Sequence, residues 1–184
     1  MTYRKNYYTF GGIVAFFIFI NILLYFFGTD TIVSFIGVEN TYIIVFIIAT
    51  IGGLSTVTGV ALFTSIATFA SGGSEPLFLA LAGGTGIFIS DSIFYFLALY
   101  GRKSVPREWE KNLSKMAAWI EKYPPWAILL GVYVYIGFTP LPNDLLAIAL
   151  VVGKYTYKKI APVLLIGSFT IAFLTAYFGS LILG

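Results

Sequence analysis

The sequence contains neither cysteine nor histidine, and only 10% of its 184 residues are charged. The lack of cysteine excludes disulfides, a thiolate nucleophile and cysteine-based metal sites. The lack of histidine excludes an imidazole base and histidine-ligated zinc or haem. Carboxylates, lysines, tyrosines and backbone groups remain for any chemistry, and they form no recognisable nucleophile–base pair or metal cluster. The sequence therefore predicts neither an enzyme nor a bound cofactor.

Apolar residues are correspondingly abundant: 59% of the chain is hydrophobic and 18% is aromatic. A soluble domain usually has about 25% charged residues, and a soluble core of this length could not bury so much apolar surface. The formal net charge of +3 is too small to indicate a nucleic-acid partner. The composition therefore predicts an all-α polytopic integral membrane protein, with residues 1–184 as one membrane domain and lipids as its partners.

Three uninterrupted apolar runs, at 10–28, 77–100 and 160–183, are long enough to be transmembrane helices. At about 1.5 Å per residue, such runs cross a hydrocarbon core of about 30 Å. The first run is predicted to be retained rather than removed as a signal peptide, because no small-residue cleavage site follows it. Pro76 and Pro162 are predicted to open the second and third of these helices, and no soluble domain is expected beyond the third.

A charged segment precedes the second half of the chain. Residues 102–123 contain six lysines or arginines and three glutamates, with apolar residues recurring at helical spacing. This pattern predicts an amphipathic helix at 104–123 that lies on the cytoplasmic membrane surface. A small water-exposed linker helix is the alternative interpretation.

Two further apolar regions, at 43–70 and 125–153, are interrupted near their middles. The first contains the glycine-rich stretch 52–59, which favours helix poorly. The second contains Pro140 and Pro142, and two prolines so close together cannot continue an unbroken helix. Each region can be read as a kinked spanning helix or as a re-entrant hairpin that enters and leaves the membrane on one side.

The distribution of charge favours the hairpins. If both interrupted regions are hairpins, all 11 lysines and arginines fall on the cytoplasmic side, as the positive-inside rule requires. If 43–70 spans instead, the segment with six basic residues lies outside. The sequence thus predicts an inverted repeat of two re-entrant hairpins, each followed by a transmembrane helix. The expected location is the plasma membrane, with a cytoplasmic N-terminus and an external C-terminus.

Two acidic residues are predicted to lie within the membrane. Asp91 is near the middle of its apolar run, where an ionised carboxylate is costly unless it is hydrated, paired or protonated. It shares one helical face with Tyr95, Arg102 and Gly84, and the small Gly84 is expected to admit a neighbouring hairpin. A structural acid that bonds hairpin backbone is the alternative role for Asp91. Asp144 opens the second arm of the second hairpin, where it is either a helix cap or a site residue.

Two stretches resemble a known family. Residues 86–102, with the sequence GIFISDSIFYFLALYGR, are similar to the Gly…Asp…Tyr…Gly-Arg signature of DedA-type proteins, also called the VTT or SNARE-associated Golgi family. Residues 138–144, with the sequence FTPLPND, are similar to the second re-entrant motif of that family, and Gly153 follows at the matching distance. The resemblance covers roughly residues 40 to 180 and implies paired re-entrant hairpins.

The resemblance also implies a function, because members of the family are associated with moving lipids between leaflets. These lipids include phospholipids and polyprenyl-phosphate carriers, and proton coupling has been proposed for bacterial members. The expected function is therefore a lipid translocase or scramblase, in which Asp91 and Asp144 bind protons or ions. The residues expected to line its cleft are Tyr95, Arg102, Thr139, Pro140, Pro142 and Asn143.

Two alternatives from other classes remain open. The same acids would suit a proton- or sodium-coupled transporter of small solutes. The other alternative is a membrane assembly factor that transports nothing. Assays of lipid flipping and of ion-driven solute uptake in liposomes would separate the lipid translocase from the solute transporter. The cargo, the direction of transport and the oligomeric state stay undetermined, and a homo-oligomer is compatible with the sequence.

Overall fold

The computed structural model describes residues 40–52, 56–101, 114–115, 117–140 and 144–182. Several predictions fall outside these residues: the helix at 10–28, most of the amphipathic helix at 104–123, and the cleft residues Arg102, Pro142 and Asn143. Within the described part of 104–123, residues 117–120 are helical.

The described residues are predominantly α-helical, and none of them lies in a β-strand. The prediction of an all-helical chain is thus confirmed for this part of the sequence. Six helices have defined bounds: α1 (Thr41–Gly52), α2 (Thr56–Ser71), α3 (Pro76–Gly101), α4 (Pro125–Phe138), α5 (Asp144–Val152) and α6 (Tyr157–Ile182).

The two longest helices, α3 and α6, have 26 residues each. By length and composition, these two described helices could cross a membrane, since 26 residues extend over about 39 Å. The predicted helix at 77–100 matches α3 closely. The predicted opening of the last helix at Pro162 is wrong, because α6 begins at Tyr157 and includes Pro162. Its first turn forms before Pro162, since the carbonyl of Thr156 accepts hydrogen bonds from the amides of Lys159 and Ile160.

The region 125–153 is interrupted near the predicted place, between α4 and α5. In the region 43–70, the helices α1 and α2 lie on either side of residues 53–55, which are outside the described residues. Helix α4 ends at Phe138, and Thr139 is extended with φ −126° and ψ 130°. This break has a local cause, because the residue before a proline is disfavoured in helical geometry and Pro140 follows Thr139.

The turns that follow α2 and α5 have the same form. Gly73 and Lys154 take left-handed conformations, with φ of 93° and 60°. In each turn the next amide donates to the carbonyl five residues earlier at 3.0 Å (Ser74 to Phe69, Tyr155 to Leu150). This is the Schellman arrangement that commonly terminates helices. It reverses the chain sharply, so that α3 and α6 each begin three residues later.

Packing contacts show the directions of the helices in the first half of the chain. Helix α1 runs parallel to α3, because Tyr42 contacts Phe78 and Ala49 lies against Gly86 further along both helices. Helix α2 returns beside them and packs on the distant helix α6, where Ala67 lies against Gly179.

The second half repeats these pairings. Helix α4 packs on α6, where Ile136 lies against Gly167. Helix α5 packs on α3. Each long helix therefore contacts one short helix from its own half of the chain and one from the other half. The two long helices also pack on each other and run in opposite directions, since Gly83 lies against Ala172 and Asp91 against Ser168.

The buried core consists of two apolar clusters, one at each end of the long helices. Along α3, Ile87 belongs to the first cluster and Tyr95 to the second. Along α6, Ile171 belongs to the first cluster and Leu164 to the second. The buried polar residues of the described chain lie in the intervals between these pairs: Ser90, Asp91 and Ser168. The polar chemistry of the core is thus confined to the middle of the two long helices.

Candidate functional site

Asp91 is buried at the middle of α3. It is the sixteenth of the 26 residues of that helix, and only 4% of its surface is exposed. The ends of α3 are therefore about 22 Å and about 15 Å away along the helix axis. Carboxylates are rarely buried to this extent unless they are paired, hydrogen-bonded or protonated. The position of Asp91 near the middle of an apolar helix agrees with the sequence prediction.

The side chain of Ser168 on α6 faces this carboxylate. Ser168 is fully buried, and its hydroxyl lies 3.5 Å from Oδ2 of Asp91. The same hydroxyl donates to the carbonyl of Leu164 at 2.8 Å. Because O–H···O hydrogen bonds are usually 2.7–2.8 Å long, the bond to Leu164 is the stronger of the two. Asp91 and Ser168 therefore form a weak polar contact across the interface between the two long helices.

A cavity of about 10 Å³ adjoins Asp91, which is about the space that one water molecule requires. Asp91 and Tyr95 supply its polar lining from α3. The remainder is apolar and comes from the second half of the chain: Ile136, Leu146, Ala147, Leu150, Ile160 and Leu164. Asp91 thus borders a small, mostly apolar space between α3, α4, α5 and α6.

Tyr95 connects this cavity to the turn between α5 and α6. Its ring is buried, and its hydroxyl donates to the carbonyl of Tyr155 in that turn at 2.8 Å. One turn of helix away, the hydroxyls of Ser92 and Tyr157 are hydrogen-bonded at 2.7 Å. The rings of Tyr95 and Tyr157 also pack together, with centroids 5.6 Å apart. These contacts hold the turn against the end of α3.

Replacing Tyr95 with phenylalanine should lower the free energy of unfolding by about 1–2 kcal/mol, because the buried ring is kept while its hydrogen bond to Tyr155 is lost. Chemical denaturation in detergent measures the change. Tyr133→Phe is the matched control, since the hydroxyl of Tyr133 makes only a 3.4 Å contact with Thr170. Equal effects of the two substitutions would contradict a special role for the bond to Tyr155.

The remaining predicted site residues are in different positions. Asp144 is the first residue of α5, and its side chain is outside the described part of the structure. Thr139 follows α4, and its hydroxyl donates to the carbonyl of Tyr135 in the preceding turn. Pro140 is exposed, and neither Thr139 nor Pro140 lines the cavity beside Asp91. Gly84 admits Phe169 of α6 rather than a hairpin, which differs from the expectation.

The described residues contain no group of three or more acidic side chains that could hold a metal ion. The carboxylate, hydroxyls and backbone carbonyls around Asp91 can exchange a proton or bind a small polar species. Ser168 was not anticipated, because a single serine in an apolar run is ordinary and nothing in its spacing indicates a partner 77 residues away. Comparisons with protein-family models, with curated proteins and with solved structures found no match.

Proposed function

We propose that this chain is a membrane lipid translocase or scramblase of the DedA type, acting on phospholipids or polyprenyl phosphates. The observation that carries the proposal is the burial of Asp91, together with Ser168, at the contact between the two long apolar helices. A carboxylate held at this depth in a membrane is costly and is characteristic of proton relays and substrate pathways. In this mechanism Asp91 gains and loses a proton as the two halves of the molecule rearrange, with Asp144 as the second acid.

An internal inverted repeat is the architecture that would allow such a rearrangement. Equivalent features of the two halves are separated by a constant 81 residues: the left-handed positions Gly73 and Lys154, and the close-packed Gly86 and Gly167. Gly86 and Gly167 are each the eleventh residue of their long helix. Gly86 packs against α1 and Gly167 against α4, the first short helix of its own half in each case. The opposite directions of the long helices further support two units of inverted orientation.

The lengths of the short helices support re-entrant hairpins. Helices α1 and α2 have 12 and 16 residues, and α4 and α5 have 14 and 9. The corresponding lengths are about 18, 24, 21 and 14 Å, whereas the hydrocarbon core is about 30 Å thick. Each arm is thus too short to cross the membrane alone, and the two breaks would lie within it.

The charges of the described residues support the proposed orientation in the plasma membrane. Four lysines lie on or beside the turn between α5 and α6: Lys122, Lys154, Lys158 and Lys159. The segment that carries Lys122 reaches this turn through an ion pair between Glu121 and Lys154 at 3.5 Å. Glu75 is at the opposite end of α3. Because basic residues concentrate on the cytoplasmic side, the turn between α5 and α6 is assigned to the cytoplasm.

Cysteine labelling tests this topology directly, because the chain has no native cysteine. In intact cells, Ser71→Cys should react with a membrane-impermeant maleimide, whereas Lys158→Cys should react only after the cells are permeabilised. Both positions are near helix ends and tolerate a small change of side chain. Reaction of both cysteines from the same side would rule out the inverted arrangement.

Lipid movement is tested in proteoliposomes that carry a fluorescent phospholipid. Purified protein should increase the fraction of fluorescence that an external quencher removes, compared with protein-free liposomes. A second lipid with a polyprenyl-phosphate headgroup distinguishes the two substrate types. An unchanged quenched fraction for both lipids would contradict the proposed function while leaving the fold intact.

A second candidate function is proton- or sodium-coupled transport of a small solute. The size of the cavity beside Asp91 is compatible with a small coupling ion, since about 10 Å³ accommodates a species of the size of one water molecule but no lipid headgroup. Under this proposal, an imposed pH or sodium gradient drives uptake of a radiolabelled solute into liposomes in which no lipid flips. The lipid proposal instead requires that the hairpins separate from α3 and α6 during transport.

A further inference from the structure

A patch of exposed lysines lies at the turn between α5 and α6. Its members, here called the lysine patch, are Lys122, Lys154, Lys158 and Lys159, and all four are exposed. The side chain of Lys154 is 72% exposed, and its Nζ is 3.5 Å from a carboxylate oxygen of Glu121. Among the described residues near this turn, Glu121 is the one acid. Four positive charges of the described chain thus accompany one negative charge here.

Three of these lysines occupy positions that the fold itself disfavours for lysine. Lys154 has a φ of 60°, a left-handed conformation that glycine adopts at least cost, and Gly73 has that role in the other turn. Lys158 and Lys159 are the second and third residues of α6, where a positive charge opposes the helix dipole. Residues that break local preferences in this way are commonly functional. The charges of the patch are therefore not explained by the stability of the fold.

The segment that carries Lys122 is held on the turn by a buried isoleucine. Ile120 is 5% exposed, and a Cβ atom added at Gly153 would lie 3.0 Å from its Cγ2. The next residue of each segment, Glu121 and Lys154, forms the ion pair. Two separate parts of the chain therefore present their lysines on one surface.

Exposed aromatic side chains border the lysine patch. The rings of Trp119 and Tyr123 pack edge to face, with centroids 5.1 Å apart, and Trp126 is the second residue of α4. Their exposed fractions are 55%, 46% and 68%. Tryptophan and tyrosine concentrate where the hydrocarbon core of a membrane meets the headgroups. Lysines bordered by exposed aromatic rings are thus typical of a surface at the level of the headgroups.

We propose that the lysine patch binds the phosphate of an anionic phospholipid, such as phosphatidylglycerol, in the leaflet that it faces. Ammonium groups bind phosphate as point charges, which suits exposed and flexible lysines. Clusters of about four or more basic residues beside a membrane-spanning helix are typical of such sites. Helix α6, which begins within the patch, is long and apolar enough to cross a membrane. The bound lipid stays at the surface and is distinct from any transported lipid, so the site goes beyond the proposed function.

Quenching of tryptophan fluorescence in bilayers tests the site, because two of the three tryptophans border the patch. The protein is reconstituted in phosphatidylcholine with increasing fractions of brominated phosphatidylglycerol or, for comparison, brominated phosphatidylcholine. Each lysine near an anionic surface contributes about fivefold to affinity. Half-maximal quenching should therefore need about a tenfold smaller fraction of the anionic lipid at low salt. The difference should shrink at about 0.5 M salt, which screens exposed charges.

The combined variant Lys154→Gly, Lys158→Gln and Lys159→Gln should lose this preference for the anionic lipid. Its unfolding temperature should be no lower than that of the unchanged protein, because the substitutions relieve disfavoured positions. Loss of binding is thereby separated from loss of the fold. Glu121→Gln removes the acid of the surface and should raise the preference up to about fivefold. Glu75→Gln is the control at the opposite end of α3 and should leave it unchanged.

Equal quenching by the two brominated lipids at low salt would overturn the proposal, as would an undiminished preference in the triple variant. Soluble glycerol phosphate should not compete, because it lacks the acyl chains that keep a headgroup at the surface. If it abolished the preference, the patch would be a site for soluble phosphates and the assignment to a membrane lipid would be wrong. Both leaflets contain the brominated lipid, so the result depends neither on the orientation of the protein nor on lipid flipping.

Discussion

Asp91→Asn is expected to remove the pH dependence of transport and to lower its rate roughly tenfold or more, which corresponds to about 1.4 kcal/mol in the barrier. Asparagine has the shape of aspartate and can still accept a hydrogen bond from Ser168, but it cannot exchange a proton. The substitution therefore separates protonation from packing. Flipping of the fluorescent phospholipid in proteoliposomes, measured between pH 5 and pH 8, provides the test.

Glu75→Gln is the matched control for this experiment. Glu75 is exposed at the far end of α3, so removing its charge should leave both the rate and the pH dependence unchanged. The unfolding temperature of Asp91→Asn should remain close to that of the unchanged protein, because the substitution creates no cavity. If the variant flips lipid with the original pH dependence, the carboxylate is a structural acid and proton coupling through it is excluded.

The helical segments could be predicted because they depend on properties that each segment carries by itself. Apolar length predicted α3 within one residue at each end, and proline content predicted where the region 125–153 breaks. The start of α6 was predicted too late, because the helix begins at Tyr157 and continues through Pro162. Pro162 therefore lies inside the helix, where it has no amide hydrogen to donate to the carbonyl of Lys158. Local signals of this type predict the helices but contain little information about their partners.

The site was predicted only in part, because its other members depend on contacts between distant segments. Asp91 is conspicuous as a carboxylate in an apolar run, whereas Ser168 and the carbonyl of Tyr155 have no distinguishing sequence pattern. Gly84 was expected to contact a hairpin, yet it receives Phe169 of the other long helix. Which glycine of α3 contacts which neighbouring helix depends on how the helices cross. The periodicity of the sequence alone does not determine this crossing.

The contact between Asp91 and Ser168 joins the two halves of the chain. Each residue belongs to a long helix, and each long helix also holds a short helix from the other half. A change of protonation at Asp91 would therefore act where both halves meet. Movement of one half against the other then requires that α1 stay fixed to α3, and this association depends on Gly86.

Gly86→Ala is expected to destabilise the protein by about 3 kcal/mol or more, at the upper end of the cost of overpacking. The added Cβ would lie 2.5 Å from Cβ of Ala49, 2.7 Å from the carbonyl oxygen of Phe46 and 2.9 Å from the amide nitrogen of Thr50. Two of these atoms belong to the backbone of α1, so rotation of a side chain cannot relieve the contact. Helix α1 must move away from α3, and buried apolar contacts are then lost.

Gly131→Ala separates this steric effect from the intrinsic preference of alanine for helix. Gly131 is also helical, but a Cβ atom there meets nothing within 4 Å. Alanine should therefore stabilise the protein at this position by about 0.5–1 kcal/mol. Unfolding in detergent should thus show a lower free energy of unfolding for Gly86→Ala and a higher one for Gly131→Ala, although the chemical change is the same. A Gly86→Ala variant as stable as Gly131→Ala would mean that α1 does not pack tightly on α3.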